Sequence, residues 1–342
     1  MLRYFPALDT LRFLASLNII LLHLSSSYLL TYAKGTFWGA IINGPLFSTD
    51  VFFLLSGFIY SILFSRQERV PKLKAFMKER FSRLYPLHII CTFIIFAITI
   101  YRTHIFDNTA YAIKSLALHI SLLWAFVPEL GYHLNRPSWA LSIFFLCYFL
   151  TPSFSRFLNK RGNKSICLMF LGSWTILLLA VFSFNFKEMP DVFRGINFFS
   201  GMLLGKLFYN KAISLPKKAL LNDLFLLLVA ILLCVNVCYF RQINARLSYN
   251  IAAPILYSAL LLFLANDKGV IVKILSVSLL RSLGKVSFYA YLLHCVLIDC
   301  LNLYLDKVTH WKYNPFDKPL ATIIIIVLFY GGCTLYKFKK PA

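Results

Sequence analysis

The chain has 342 residues, of which 59% are hydrophobic and only 14% are charged, and its mean hydropathy is +0.72. Soluble domains average about a quarter charged residues, so this composition excludes a soluble globular protein and predicts a membrane protein of many helices. The net charge of +22 comes from basic residues in short loops between apolar runs, which indicates membrane orientation rather than nucleic-acid binding.

The first apolar run, residues 8–31, is long enough to cross a bilayer at about 20 residues per crossing. It nevertheless contains Asp9, Arg12 and His23, which are costly in lipid and usually mark a functional pathway. Arg12 and His23 lie eleven positions apart. At ~100° per residue this spacing differs by only about 20° from three whole turns, so Arg12 and His23 share one helix face. Asp9 lies three positions before Arg12 and shares that face. The alternative is an arginine that reaches the interface and a buried, hydrogen-bonded histidine.

Further apolar runs of spanning length follow at 42–65, 84–103, 138–157, 166–184, 192–209, 219–240, 250–265, 287–306 and 319–337, with 113–127 as an additional candidate. The basic loops all fall on the cytoplasmic side only if 113–127 does not cross completely. We therefore predict an all-α, polytopic membrane helix bundle with about ten transmembrane helices and both termini cytoplasmic. Segment 113–127 then lies at the outer surface or re-enters the bundle, and residues 1–342 form a single membrane domain.

This orientation assigns each polar residue a depth. Arg12 lies near the cytoplasmic face, whereas His23 lies past the midplane, and Asp50 at the start of the second run reaches a depth comparable to that of His23. The basic loop after the second run brings Arg80 and Arg83 to the inner face, under Arg12.

The eight cysteines lie mostly inside apolar runs, without a C-x-x-C pair and without nearby clusters of histidine. Buried free cysteine usually acts as a small hydrophobic residue, so we expect neither a disulfide framework nor a metal site.

Five short motifs in a fixed order give the chain a family resemblance. They are Asp9-Thr10-Leu11-Arg12 with His23, Asp50-Val51-Phe52-Phe53-Leu54-Leu55-Ser56-Gly57-Phe58, Arg80-Phe81-Ser82-Arg83-Leu84-Tyr85-Pro86, Ser138-Trp139-Ala140-Leu141-Ser142, and Leu283-Gly284-Lys285-Val286-Ser287 with Tyr291-Leu292-Leu293-His294. The ordered set resembles the acyltransferase-3 family of integral-membrane acyltransferases. The resemblance covers positions 9 to 294, and the family typically has about ten membrane helices.

The resemblance implies that the chain is a membrane O-acyltransferase in the cytoplasmic (inner) membrane of the cell. It would transfer an acyl group, usually acetyl, from cytoplasmic acyl-CoA to a hydroxyl of a surface glycan or its lipid-linked precursor. Acetyl-CoA is then the donor substrate, and no metal is implied. Arg12 and His23 match the R-x10-H pair of the family. One position departs from the pattern of the family. Phe144 occupies the place where many members carry a glutamate after the tryptophan.

Imidazole suits the removal of a proton from a hydroxyl near neutral pH, so His23 is the predicted general base, or a transient acyl carrier. An acidic partner would hold its tautomer, and Asp50 is the candidate by depth. The alternative for Asp50 is a helix cap or a salt bridge at the outer interface. Asp9 is expected to pair with Arg12 and to orient the first helix.

Arginine binds phosphate in bidentate fashion, so Arg80 and Arg83 are the predicted contacts of the coenzyme A phosphates, and Arg12 is expected near the pyrophosphate or the thioester. For Arg80 and Arg83 the alternative is ordinary anchoring at the cytoplasmic interface.

Four residues are predicted to contact substrate: Ser56, Trp139, Tyr291 and His294. Ser287, Tyr291 and His294 follow helical spacing on one face, and the alternative is a hydrogen-bonded contact between helices. Gly57 next to Ser56 permits the close approach of a neighbouring helix or of the pantetheine arm. Just before Trp139, a glycan contact is a further possibility at His133, Asn135 and Arg136.

Two other functions compete with the enzyme. One is a transporter in which the same polar groups relay protons or pass a solute, and the other is a polysaccharide export factor without chemistry of its own. A transporter typically carries broken helices in paired halves, and we find no such pairing in the sequence. The alignment of Arg12 and His23 beneath a basic segment favours the enzyme.

Overall fold

The computed structural model describes residues 4–26, 36–43, 49–66, 70–102, 108–127, 134–184, 191–310 and 314–339. All regular structure in these ranges is helical, which confirms the predicted all-α class. His133, for which a glycan contact was considered, lies outside the described residues.

The helices are numbered in chain order. They are α1 (Pro6–Ser26), α2 (Phe37–Asn43), α3 (Thr49–Arg66), α4 (Leu73–Arg102), α5 (Thr109–Ile120), α6 (Ser138–Asn159), α7 (Asn163–Ser183), α8 (Gly195–Tyr209), α9 (Ala219–Ile243), α10 (Ala245–Ala265), α11 (Val270–Leu275), α12 (Ser278–Thr309) and α13 (Pro319–Lys339).

Eight helices in the described ranges are long and apolar enough to cross a membrane, namely α1, α3, α4, α6, α7, α9, α10 and α12. Helix α13 has a shorter apolar part, Pro319–Leu335, and α8 has 15 residues. A multi-pass arrangement is therefore present, whereas the number ten and the orientation of the termini stay predictions.

Several helix starts differ from the sequence prediction, and α12 begins at Ser278 rather than 287. The run 42–65 is not one helix, because α3 begins only at Thr49 and is preceded by the separate helix α2. The sequence carries Gly44-Pro45 between them, and helices usually end at or before the residue that precedes a proline. Helix α4 begins at Leu73 rather than 84 and contains Pro86, which is tolerated in membrane helices. Arg80 and Arg83 therefore lie on a helix, not in a loop.

Helix α5 covers most of the candidate segment 113–127. Its 12 residues extend only about 18 Å at 1.5 Å per residue, which is too short for a hydrocarbon core of about 30 Å. It packs beside α4, where Tyr85 donates to the backbone oxygen of Ile120 (2.9 Å) and His88 Nε2 donates to that of His119 (2.8 Å). Because these contacts lie near the middle of α4, α5 enters the bundle and ends inside it.

Glycines bring the helix backbones of the core into direct contact. A Cβ at Gly57, Gly201 or Gly205 would overlap backbone atoms across the α3–α8 contact, so Gly57 serves helix packing. A Cβ at Gly284 of α12 would overlap the backbone of Asp9 in α1. This approach holds the start of α1 against α12.

Helices α1 and α12 run in the same direction, because Gly284 contacts Asp9 near their starts and His294 contacts His23 farther along. The two ends of this helix pair carry different side chains. We call the end with Arg12, Arg80, Arg83 and Lys285 the basic end, and the end with His23 and His294 the histidine end.

Candidate active site

A cavity of about 370 Å³ lies between α1, α3, α4, α6 and α12. Its charged lining residues are four cations and one carboxylate: Arg12, Arg80, Arg83, Lys285 and Asp9. Its walls are mainly aromatic and aliphatic, and they include Phe52, Tyr60, Phe144, Tyr148 and Phe288. The cavity combines an excess of positive charge at the basic end with an apolar interior, as an anionic ligand with an apolar arm would require.

The predicted pair of Asp9 and Arg12 is present. An Asp9 carboxylate oxygen lies 2.5 Å from Arg12, and Tyr4 donates its hydroxyl hydrogen to the other oxygen of Asp9. Burial, together with the hydrogen bond to Asp9, raises the pKa of Tyr4 to about 12, so the hydroxyl remains a donor at neutral pH. Asp9 therefore fixes the Arg12 guanidinium, which is 30% exposed and lines the cavity.

The two α4 arginines line the same cavity as Arg12. The Arg80 guanidinium lies over the rings of Tyr60 (5.2 Å) and Phe76 (5.3 Å) and forms an ion pair with Glu79 (2.9 Å). Stacking on two rings restricts the side chain of Arg80 while its charge remains at the cavity wall. The structure thus brings together all three arginines that the sequence analysis assigned to the binding of acyl-CoA.

His23 pairs with His294 at the histidine end. His23 Nδ1 lies 2.6 Å from His294 Nε2, and the two rings are parallel, with centroids 4.9 Å apart and an angle of 5° between their planes. On its other side, His294 Nδ1 lies 2.6 Å from the backbone oxygen of Tyr291. His294 is fully buried, with 0% exposure.

These contacts determine the tautomers of both neutral rings. A backbone oxygen only accepts hydrogen bonds, so His294 Nδ1 carries the hydrogen and its Nε2 has a lone pair. His23 Nδ1 must then donate to His294 Nε2, which leaves a lone pair on His23 Nε2. The pair therefore presents His23 Nε2 as a base held in one tautomer.

Asp50 does not occupy the place predicted for it. Its carboxylate is fully buried and binds Arg194 (2.8 Å) and Asn197 (2.9 Å), whereas the ring of His23 pairs with His294. Depth in the membrane was the basis of the prediction, and depth does not determine which side of a helix a residue faces. Asp50 instead forms a salt bridge at the start of α3, as in the alternative interpretation, whereas its location at the outer interface stays a prediction.

The cavity and the histidine pair are neighbours and do not merge. Tyr291 lines the far end of the cavity, and its backbone oxygen holds His294 one helical turn farther along α12. Ser56 and Ser287 also line the cavity, whereas His23 and His294 are not among its lining residues. The Tyr291 hydroxyl donates to the backbone oxygen of Pro137 (3.2 Å), which holds its ring in this position.

Trp139 and Phe144 have different surroundings. Trp139 is not among the lining residues of the cavity, and its ring lies under the guanidinium of Arg194 (5.7 Å). It therefore supports the ion pair of Asp50. Phe144, at the position where a glutamate was considered, lines the cavity and stacks on Phe53 with centroids 4.2 Å apart. An apolar ring thus replaces a charge in the cavity wall.

The donor atoms of His23, His294 and Cys295 lie within 4.8 Å of one another, and these residue types are metal ligands. Two nitrogens bound tetrahedrally to zinc at about 2.0 Å would stand roughly 3.3 Å apart. The observed separation of 2.6 Å between His23 Nδ1 and His294 Nε2 is instead a direct hydrogen bond.

With the site described, the chain can be compared with known proteins. A family model described as an acyltransferase domain, the acyltransferase-3 domain, matches residues 5–337. The chain belongs to the acyltransferase-3 family. It is thus a multi-pass membrane protein of this family, as the ordered motifs predicted. No solved structure matches the chain significantly.

Several curated relatives are similar to this acyltransferase-3 chain. O-acetyltransferase OatA of Staphylococcus aureus strain NCTC 8325 is 27% identical over 329 residues, covering 88% of this chain and 52% of its own length. A putative O-acetyltransferase of Staphylococcus aureus strain COL is 24% identical, with 96% of this chain and 56% of the relative covered. Acyltransferase MdmB of Streptomyces mycarofaciens is 29% identical over 45% of this chain and 40% of its length. The chain spans about half the length of the curated relatives it matches.

Sequence reasoning missed two contacts of the candidate site. His294 was predicted to contact substrate, but it is the ring partner of His23, and 271 positions separate the two residues. Arg194 and Asn197, the partners of Asp50, were not considered at all. Their three-residue spacing on a predicted span was an available signal, because unpaired polar groups in a membrane helix require partners.

Proposed function

We propose that the chain is a membrane O-acyltransferase. It moves an acyl group, most simply acetyl, from acyl-CoA to a hydroxyl of a surface glycan or its lipid-linked precursor. One observation carries the proposal: a cationic cavity ends one helical turn from a histidine pair that leaves a lone pair on His23 Nε2. Membership of the acyltransferase-3 family and the names of two O-acetyltransferase relatives support it.

The basic end faces the cytoplasm in this proposal, because basic residues are retained on the cytoplasmic side of membrane proteins. Both termini then lie inside, and the protein resides in the cytoplasmic membrane. Acyl-CoA reaches the cavity from the cytoplasm, whereas the glycan approaches from the histidine end on the outer side.

The cavity binds the donor. Arg12, Arg80 and Arg83 bind the coenzyme A phosphates with charge-assisted hydrogen bonds, and Lys285 adds a fourth cation. The apolar walls accept the pantetheine arm. From Lys285 to Tyr291 the cavity follows six residues of α12, or about 9 Å, which directs the thioester toward the histidine pair.

His23 supplies the base for the transfer. Its Nε2 takes the proton of the acceptor hydroxyl while the hydroxyl oxygen attacks the thioester carbonyl carbon. The new C–O bond forms, the C–S bond breaks, and the imidazolium returns the proton to the leaving thiolate. His294 Nε2 accepts the hydrogen bond from His23 Nδ1 throughout, and this bond strengthens when His23 becomes cationic.

A labelled-donor assay tests the proposed function. Purified protein in nanodiscs is incubated with acetyl-CoA labelled in the acetyl group and with an envelope glycan fraction isolated from the expression host. We expect alkali-labile label on the glycan, as for an O-acetyl ester. Hydrolysis of acetyl-CoA without labelled glycan, or solute uptake without transfer, would contradict the proposal.

Replacing Arg83 with alanine should raise the KM for acyl-CoA by about 10- to 100-fold. Hydrogen bonds to charged groups contribute about 1.5–3 kcal/mol, and every 1.4 kcal/mol corresponds to a factor of ten. The KM for the acceptor should stay constant, because Arg83 lies at the basic end, away from the histidine pair.

Arg161→Ala is the matched control for Arg83→Ala. Arg161 follows α6 at the same end of the bundle, but its guanidinium lies over Phe157 (4.5 Å) and does not line the cavity. An equal rise in donor KM for both variants would mean that general surface charge causes the effect. It would contradict a role of Arg83 in binding the donor.

A further inference from the structure

The side-chain amide of Asn135 is buried and has no hydrogen-bond partner among the described residues. Asn135 is 0% exposed, and neither the nitrogen nor the oxygen of its side-chain amide forms a hydrogen bond. Buried polar side chains are nearly always paired, because an unpaired amide loses its hydration without compensation. An amide in this condition is a candidate contact for a ligand that supplies the missing hydrogen bonds.

The short segment 134–137, which carries this amide, packs near the part of α12 that contains His294. Leu134 belongs to the same buried cluster as Cys295, and the backbone oxygen of Pro137 accepts a hydrogen bond from Tyr291 (3.2 Å). The segment therefore lies along α12 between Tyr291 and Cys295, the stretch that contains His294. Asn135 thus lies at the histidine end, beyond the Tyr291 boundary of the donor cavity.

More polar groups continue from this point toward the end of α12. Asp299 follows Cys295 by one helical turn and lies within the electrostatic reach of Arg136 and Arg102. Farther along, the side-chain oxygen of Asn302 is also buried without a hydrogen bond. Arg136 also lies within electrostatic range of His23.

We propose that Asn135 binds the acceptor, with Asp299 and Asn302 as further contacts, and that this acceptor is a polyhydroxylated molecule such as a saccharide. The inference rests on the proposed acyl transfer. A primary amide donates through Nδ2 and accepts through Oδ1, so it pairs with two neighbouring hydroxyl groups of a polyol. The donor occupies the cavity on the other side of Tyr291, which leaves this location to the second substrate.

The test replaces Asn135 with leucine, a side chain of similar size that forms no hydrogen bonds. Acetyl transfer is measured with acetyl-CoA and the envelope glycan fraction of the expression host as the acceptor probe. We expect the acceptor KM to rise at least about tenfold, the loss of one hydrogen bond of about 1.4 kcal/mol. The donor KM should not change, and neither should the melting temperature, since the amide has no partner in the fold.

Asn222→Leu is the matched control. Asn222 is also 0% exposed, but its amide bonds the backbone oxygens of Phe263 (3.2 Å) and Lys268 (2.8 Å) and accepts from Asn266 (2.9 Å). This variant should melt at a lower temperature and keep the acceptor KM of the unaltered chain.

Two results would overturn the assignment of Asn135. One is an unchanged acceptor KM in Asn135→Leu, and the other is a loss of melting temperature comparable to that of Asn222→Leu, which marks a structural amide. A separate result, no acetyl transfer by the unaltered chain, would overturn the proposed function itself and the acceptor site with it.

Discussion

Replacing His23 with glutamine should lower kcat for acyl transfer by about 10²- to 10⁴-fold, the usual contribution of a positioned general base. Glutamine retains a polar side chain but has no basic nitrogen, so the acceptor hydroxyl keeps its proton during the attack. The KM for acyl-CoA should not change, because the cationic cavity that binds the donor does not include His23. The measurement is the steady-state rate of acetyl transfer at saturating donor.

The matched control for this variant is His310→Gln. His310 is exposed at the end of α12, far along the helix from the pair, and its replacement should leave kcat and the melting temperature unchanged. If folded His23→Gln protein transfers acetyl at the rate of the unaltered chain, His23 is not the base.

The second large effect is expected at His294. Phenylalanine at this position preserves a flat ring beside His23 but removes both the Nε2 acceptor and the Nδ1 donor. His23 is then free to adopt either tautomer and either ring orientation, and its imidazolium loses a hydrogen-bond partner. Loss of the group that orients a catalytic histidine costs up to about 10⁴ in kcat in a serine protease. A neutral partner such as His294 should contribute less, about 10²-fold.

His88→Phe separates this role from packing. His88 is also 0% exposed and also bonds a backbone oxygen, that of His119 (2.8 Å), but it lies in α4 and, within the described part of the chain, shares no hydrogen bond with either ring of the pair. We expect His88→Phe to lower the melting temperature with little change in kcat, and His294→Phe to lower kcat with an unchanged donor KM. Equal kcat values for the two variants would assign a packing role to His294.

Local spacing predicted part of the site. The i,i+3 spacing of Asp9 and Arg12 on one apolar run indicated their ion pair, and the structure contains it. The same reasoning predicted that Arg80 and Arg83 approach Arg12, because loop charge fixed them at one end of the bundle. Their location on α4 was missed, since the apolar pattern begins only after the charged first turns of that helix.

Contacts between distant segments were beyond this reasoning. The hydrophobic pattern assigns His23, Asp50 and His294 a depth, but the lateral order of helices decides which of them meet. Helix α12 packs beside α1 because Gly284 permits backbone contact with Asp9, and this packing brings His294 to His23. Asp50 instead faces α8 and its neighbour Arg194, because glycines bring α3 and α8 together.

The unpaired amide of Asn135 illustrates the same limit. Its position before Trp139 suggested a glycan contact, but an asparagine in a short polar segment is ordinary in any membrane protein. Burial and the missing hydrogen bonds distinguish it, and both depend on the packing of segment 134–137 against α12.

The account requires the two substrates to enter from opposite ends of the bundle, with acyl-CoA at the basic end. Sealed proteoliposomes test this most directly, because acetyl-CoA does not cross the bilayer. The linker 210–218 follows α8 at the basic end and exposes Lys211, Lys217 and Lys218, so trypsin cleavage there measures the fraction of molecules with this end outward.

With a membrane-anchored saccharide acceptor present on both faces, the transfer rate from external acetyl-CoA should be proportional to the trypsin-accessible fraction. A rate proportional to the protected fraction would place the donor at the histidine end and contradict the account.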